Sequence, residues 1–180
     1  MYETIATQTK EKVHTGLAGI DSSKLKALRS DHLKACFSLI DEMRHKLEFV
    51  ARIKGVSFID DAASRSPMTT WYALETVEGR VVWIANGANS MQRASEYRRL
   101  RALAESKVER IICLGNKALY QTIFGDVVKD ITEVNTMAEA VTKAFYGCEE
   151  NMKVLFSPSY ENGISYEEQG ESFKHEVNEL

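Results

Sequence analysis

Two adjacent carboxylates, Asp60 and Asp61, stand where an apolar stretch ends, and a loop of small polar residues follows them. A carboxylate pair can hold a ribose or bind a metal ion. Two acids at a strand end are also typical of a solvated turn, so the spacing alone leaves both interpretations open. Ser66-Pro67 closes the loop and predicts a helix start, because the serine hydroxyl accepts a backbone N–H and proline has none to satisfy.

Three more polar segments follow apolar runs that are typical of buried strands. They are Asn86–Ser90, Gly115–Lys117 and Ser157–Asn162. The carboxyl ends of parallel strands meet at one edge of a sheet, so we expect these segments and residues 60–66 to line a binding cleft. Neither a G-x-x-x-x-G-K-[ST] nor a G-x-G-x-x-G phosphate motif is present.

Hydrophobic periodicity predicts the elements that position these groups. Around the turn Lys54-Gly55 we expect a hairpin, whose first strand buries one face through Leu47, Phe49, Ala51 and Ile53. From Arg80 onward, strands and helices alternate. The chain is therefore predicted to be an α/β domain, a Rossmann-like three-layer αβα structure. Its sheet is mainly parallel, with about six strands and an N-terminal β-hairpin.

Helix signals complete the predicted organisation. Capping-box spacing at Thr136–Glu139 and Ser165–Glu168 starts two helices, and Phe173, Val177 and Leu180 are expected to face inward from the second. Trp71 and Tyr72 are expected at the core and its rim. Residues 1–44 are predicted to form an arm and a helix, and residues 45–180 the main domain.

Composition excludes several classes of protein. The net charge of -3 argues against a dedicated nucleic-acid binder, and no apolar run reaches membrane-spanning length. The start of the chain lacks the features of a signal peptide. Three scattered cysteines, Cys36, Cys113 and Cys148, favour reduced thiols over a disulfide frame or zinc site, and Cys113 is expected to be inert packing. We therefore expect a cytoplasmic protein, with partners that are neither nucleic acid nor membrane.

Residues from position 45 onward resemble the C-terminal domain of Mur ligases, most closely the UDP-N-acetylmuramoylalanine–D-glutamate ligases of peptidoglycan synthesis. The segments that carry the resemblance are His45–Val50 (HKLEFV), Phe58–Ser66 (FIDDAASRS), Thr70–Leu74 (TWYAL), Ile111–Gly115 (IICLG), Leu155–Pro158 (LFSP) and Tyr166–Gly170 (YEEQG). The resemblance covers residues 45–180, and residues 20–44 resemble the end of the family's central domain. By spacing alone, His45 is a lone histidine that fits a hydrogen-bonded side chain better than a ligand.

The resemblance implies an ATP-dependent ligase whose central domain holds the phosphate loop and magnesium ligands. That part has no counterpart in this chain, so ATP is expected only with a partner domain, and no catalytic or metal-binding residue is assigned. His45, Lys46 and Asp61 match nucleotide-facing positions, with Lys46 replacing an arginine. Lysine keeps the positive charge at this position but cannot form the two parallel hydrogen bonds of a planar guanidinium.

The positions that resemble the amino-acid clamp are mostly changed. They fall on or near Ser64, Arg65, Ser90, Asn162 and Tyr166, and the first clamp lysine is replaced by Ala63. A diacid such as D-glutamate needs charge-assisted donors, so this chain is predicted to bind it poorly, although Arg65 or Arg93 could restore one contact.

Two functions follow from the resemblance. The first is a stand-alone binding or regulatory module without ligase activity of its own, for an unknown small molecule. The second is one part of a split ligase, completed by a Mur ligase or another cell-wall enzyme as partner.

Overall fold

The computed structural model describes residues 44–88 and 94–180. Their strands are β1 (Glu48–Ile53), β2 (Val56–Asp60), β3 (Val81–Asn86), β4 (Val108–Leu114), β5 (Asp130–Val134) and β6 (Lys153–Phe156). Their helices are α1 (Pro67–Thr76), α2 (Ala94–Tyr97), α3 (Arg101–Lys107), α4 (Ala118–Phe124), α5 (Met137–Tyr146) and α6 (Tyr166–Asn178), with a 3-10 turn over Arg98–Leu100. The predicted arm and helix over residues 1–44 lie outside the described residues, apart from Arg44.

The strands form one sheet in the order β1-β2-β6-β3-β4-β5. Strand β1 pairs antiparallel with β2, and the other neighbours are parallel. Helices α1 to α4 pack on one face of the sheet, around Trp83 and Tyr120, while α5 and α6 pack on the other face around Phe58 and Phe156. The predicted three-layer α/β architecture with its hairpin is confirmed.

All the residues predicted for the buried face of the first hairpin strand except Phe49 pack against the core. The Phe49 side chain is 62% exposed, whereas Val50 packs against the core. The strand register shifts between Phe49 and Ala51, where β1 opposes Ile59 and Phe58. An extra residue in one strand reverses the side-chain alternation beyond it, so a β-bulge explains why the prediction for Phe49 is wrong.

Two other side chains differ from the sequence prediction. Trp71 is 38% exposed, because the buried face of α1 is formed by Thr70, Ala73 and Leu74 instead. Leu180 is 40% exposed, since α6 ends at Asn178 and the last residue no longer follows the helical face of Phe173 and Val177.

Serine or threonine begins α1, α5 and α6 as predicted, and of these three helices in the described part of the chain α1 has the reciprocal capping box. Ser66 and Thr69 exchange both side-chain bonds at the start of α1, whose first residue is Pro67. At α5, Thr136 accepts from the Glu139 N–H, while the Glu139 carboxylate accepts from the backbone of Asn135 rather than from Thr136. The helix starts are thus stabilised at the sheet edge where the polar segments meet.

Candidate functional site

Lys46 lies inside the domain rather than at its surface. Its Nζ donates to Asp61 Oδ1 at 2.8 Å and to Ser64 Oγ at 2.5 Å, and it lies 5.7 Å from the centre of the Tyr72 ring. Only 7% of Lys46 is exposed, and Asp61 and Ser64 are fully buried. The positive charge of Lys46 is therefore neutralised by protein groups.

Both oxygens of the Asp61 carboxylate also accept hydrogen bonds. Besides Lys46, its Oδ1 accepts from the Leu47 N–H at 3.3 Å, and its Oδ2 accepts from Ser157 Oγ at 2.8 Å. Ser157 Oγ lies 2.8 Å from Thr70 Oγ1, which extends the network to helix α1. Burial raises the pKa of the Asp61 carboxyl, and the Lys46 ammonium opposes that shift.

A left-handed backbone directs Lys46 inward. His45 and Leu47 have φ angles of 61° and 51°, so the two residues flanking Lys46 adopt a conformation that side chains rarely favour. The His45 carbonyl accepts from the Ala63 N–H at 3.0 Å, which ties this turn to the loop after β2. Such strain persists only where the surroundings fix it, and here the buried ion pair does so.

His45 forms a second buried pair. Its Nδ1 lies 2.6 Å from Asp60 Oδ2, and both side chains are fully buried. The imidazole rests against Gly170 of α6, where a Cβ would stand 2.1 Å from Nδ1. Burial raises the pKa of the Asp60 carboxyl, while its hydrogen bond with His45 opposes that shift.

Potential metal ligands converge at this second pair. One ligand atom each of His45, Glu48 and Asp60 lies within 4.8 Å of the others. The Lys174 ammonium lies 2.7 Å from Glu48 Oε2 and 3.8 Å from Asp60 Oδ2. The cluster is thus already contacted by a cation of the protein itself, which offsets part of its negative charge.

The residues predicted to contact a substrate interact with other groups of the protein. Arg65 NH2 lies 3.5 Å from Glu161 Oε1, and Tyr166 packs edge-on against His45 with ring centres 6.1 Å apart. The exposed Asn162 accepts from Gln169 through its Oδ1 at 3.2 Å. Ser90 and Arg93 lie outside the described residues. Assignment of these positions to a substrate stays a prediction.

A cavity of about 360 Å³ opens at the carboxyl edge of the sheet, next to these residues. Its polar lining includes Asn86, Asn135, Asn162, Glu168, Gln169 and Ser172. Among the described residues that line it, none carries a positive charge. The cavity is therefore suited to a different chemistry from that of a diacid.

Close backbone packing holds one wall of this cavity. The Gly87 N–H donates to the Leu114 carbonyl at 2.7 Å, and the Ala88 N–H donates to Asn116 O at 3.1 Å. A Cβ at Gly87 would stand 2.4 Å from the Asn116 nitrogen, so only glycine allows this approach. The exits of β3 and β4 are thereby joined.

No family model matches the chain. It is 31% identical to the UDP-N-acetylmuramoylalanine–D-glutamate ligase of Christiangramia forsetii, covering 98% of this chain and 40% of that protein. The enzyme of that name from Porphyromonas gingivalis is 30% identical over 97% of this chain and 39% of its own length. The chain is a Mur ligase-like domain. It spans about 40% of the length of these curated relatives.

A solved structure supports the fold of this Mur ligase-like domain. The MurF ligase of Thermotoga maritima, crystallised in complex with ADP, superposes with a TM-score of 0.51 over 76% of this chain and 32% of that chain. The sequence identity is 15%, so the likeness concerns the fold. Within residues 44–88 and 94–180, no helix has the length and apolar character to cross a membrane.

Most of the residues that line the cavity of this Mur ligase-like domain are not predicted from the sequence. Three of the four strand exits predicted to line a cleft contribute Asn86, Gly115 and Asn162, whereas residues 60–66 contribute none. Asn135 after β5 is an additional exit that the prediction does not include. Glu168, Gln169 and Ser172 were also missed, since they lie inside the terminal helix. Glu168 and Gln169 could have been predicted, because they place a carboxylate and an amide in the first turns of a helix that starts at the predicted cleft.

Proposed function

We propose that this Mur ligase-like domain binds a small molecule at the carboxyl edge of its sheet and does not catalyse amino-acid ligation by itself. The observation that carries the proposal is the enclosure of Lys46 by Asp61 and Ser64. A cation that is buried and paired within the protein is not available to a substrate without losing that pair.

The relatives are named for joining D-glutamate to UDP-N-acetylmuramoylalanine. D-Glutamate carries two carboxylates, and charge-assisted donors are needed to hold both. Arg65 faces Glu161, and position 63 is alanine where the resemblance implies lysine. A diacid entering this edge would compete with protein carboxylates for few cations, which supports a binding role with a different ligand.

A ligase role in an assembly is the second candidate. The curated relatives extend well beyond the part that this chain matches, since 40% of their length is covered. In this alternative, a Mur ligase or other cell-wall protein supplies the ATP-binding part, and ATP is bound only in that complex. A cytoplasmic location stays a prediction under both candidates.

A reconstitution assay tests the proposal. The 180-residue protein is incubated with ATP, Mg²⁺, UDP-N-acetylmuramoylalanine and D-glutamate, and product is followed by mass spectrometry. We expect no product, with a full-length D-glutamate ligase as the positive control. Turnover by this chain alone would refute the binding-module role, and turnover only after a Mur protein is added would favour the split ligase.

Ligand-induced stabilisation supplies the complementary measurement. A ligand that binds only the folded state raises the melting temperature in proportion to the logarithm of its concentration. Nucleotides, amino acids and muropeptide fragments form the panel. We expect no shift with ADP or D-glutamate and a concentration-dependent shift with another compound, whereas a flat response to the whole panel would contradict a binding role.

A further inference from the structure

The cavity lies at the topological switch point of the sheet. Strands β3 and β4 lead to helices on one face, while β5 and the segment after β6 lead to α5 and α6 on the other face. Asn86 ends β3, Gly115 follows β4, and Asn135 follows β5; all three line the cavity. A crevice at such a point is the preferred ligand site of open α/β sheets.

Asn86 contributes a buried acceptor that the protein leaves unused. Its Nδ2 donates to the Tyr160 carbonyl at 3.0 Å and to Gln169 Oε1 at 2.9 Å. Since a carbonyl can only accept, the orientation of the Asn86 amide is fixed. Among the described residues its Oδ1 has no hydrogen-bond partner, although the side chain is fully buried.

The Gln169 amide, which contacts Asn86, already uses both of its N–H donors. Gln169 Nε2 donates to Asn162 Oδ1 at 3.2 Å and to the Ile164 carbonyl at 3.1 Å. The Gln169 Oε1 accepts from Asn86, so the orientation of both amides follows from the same network. Gln169 therefore has no N–H left for Asn86 Oδ1, and a ligand that satisfies this acceptor must bring the donor.

Glu168 adds a negative charge to the same cavity. It lies in the first turn of α6, where its backbone N–H is capped by Ser165 Oγ at 3.1 Å. Among the described residues, no cation pairs with its carboxylate. An anionic group in the cavity would therefore meet repulsion from Glu168, whereas an ammonium would be attracted.

We infer that this cavity binds a small ligand whose head group donates N–H bonds, a primary ammonium or carboxamide, to Asn86 Oδ1 and the Glu168 carboxylate. The inference deepens the proposed function by naming the ligand class for the same sheet edge. Leu114, Met137 and Ile164 line the cavity as well, so the ligand carries a short apolar body. The volume of about 360 Å³ fits a molecule of that kind.

Titration with three probes tests this assignment. Leucinamide carries an ammonium, a carboxamide and an apolar body; 4-methylpentanamide lacks only the ammonium; glutarate carries two carboxylates and no N–H donor. The full ¹⁵N-labelled chain is titrated with each, and the side-chain amide signals of Asn86, Asn162 and Gln169 are followed by NMR. We expect saturable shifts of these signals with leucinamide, weaker binding of 4-methylpentanamide and no saturation with glutarate.

A matched pair of variants isolates the charge. Glu168→Gln removes the carboxylate in the cavity, and Glu167→Gln makes the same change at the exposed neighbouring position outside the cavity lining. The leucinamide affinity is expected to fall about fivefold to tenfold in Glu168→Gln, as for loss of one partly exposed charge contact. Glu167→Gln is expected to bind as the wild type does, and 4-methylpentanamide is expected to be insensitive to both changes.

The outcomes separate this inference from the proposed function. Saturable glutarate binding at the same amide signals would overturn the donor assignment, yet a small-molecule site at this edge would stand. Equal loss of leucinamide binding in both variants would also overturn the assignment, because position 168 would then have no special role. Ligand shifts confined to other parts of the chain would refute the site itself, and product in the ligation assay would refute the proposed function separately.

Discussion

The Lys46 ammonium and the Asp61 carboxylate form an ion pair of 2.8 Å in the interior of the domain. The resemblance implies that both positions face a nucleotide, but here they face each other. The backbone supports this arrangement, because His45 and Leu47 on either side of Lys46 adopt positive φ angles. The Lys46 and Asp61 side chains are thus part of the buried interior of this domain.

Replacement of Lys46 by methionine is expected to destabilise the domain strongly. The change leaves the buried Asp61 carboxylate without its cation, at a cost of about 3–5 kcal/mol in the free energy of unfolding. Urea denaturation at neutral pH measures it. The double variant Lys46→Met/Asp61→Asn should recover much of the loss, and equal stabilities of the single and double variants would contradict the buried pair.

A methyl group at Gly170 is expected to disrupt the second buried pair. Gly170→Ala would place its Cβ 2.1 Å from His45 Nδ1 and 2.8 Å from Asp60 Oδ2. Overpacking of this kind costs about 1–3 kcal/mol of stability. Thermal unfolding of the single variant checks the value.

Removal of the imidazole provides the control for that clash. In a His45→Ala background, Gly170→Ala meets no ring, and alanine is favoured over glycine inside a helix by about 1 kcal/mol. The approach to Asp60 Oδ2 at 2.8 Å remains, so we expect the penalty of the same substitution to become smaller rather than to vanish. An unchanged penalty in this background would show that contact with His45 is not its cause.

Cys113 is expected to make stability fall at high pH. Burial raises the pKa of its thiol to about 12 from the usual 9.0. The folded state therefore keeps a proton that the unfolded state loses, so stability declines as pH rises from 9 towards 12. The slope is about 1.36 kcal/mol per pH unit for one such group.

Cys113→Ala isolates this contribution, because other groups titrate in the same range. Unfolding free energies of the wild type and the variant are compared at each pH. The difference between them should be constant below pH 9 and should shift in favour of the variant above it. Parallel curves over the whole range would refute a protected thiol.

Restoring one clamp cation is expected to create affinity for a diacid. Ala63→Lys places a lysine where the resemblance implies one, in the half-buried loop after β2. One charge-assisted contact should strengthen D-glutamate binding by about tenfold or more, as measured by calorimetry. Ala102→Lys, at an exposed position of α3 outside the cavity lining, makes the same charge change and should have no effect. Similar gains in both variants would contradict a local role.

The architecture could be predicted because it depends on local patterns. Alternating apolar runs and helix caps such as Ser66 and Ser165 mark the elements, and parallel strands bring their exits to one edge. Phe49 shows where such patterns fail, since a single bulged position reverses the face that each later residue presents.

The site could be predicted only in outline, because its chemistry depends on contacts between distant segments. Nothing near Lys46 in the sequence shows that its ammonium reaches Asp61 and Ser64, 15 and 18 residues away. Similarly, the unused acceptor of Asn86 is evident only once Gln169, 83 residues later, is seen to receive the amide donor. The types of residue predict where the site lies along the sheet edge. Which polar side chains are left without a protein partner depends on hydrogen bonds between residues far apart in the sequence.

The most direct test of the buried-cation account is the ¹H–¹⁵N NMR signal of the Lys46 ammonium during a titration with D-glutamate and ADP together. Lys46→Arg assigns the signal by its disappearance. We expect the signal to keep its position throughout the titration, because Asp61 and Ser64 remain the hydrogen-bond partners of the ammonium. A saturable change in its position, with a ligand oxygen replacing Asp61, would contradict it.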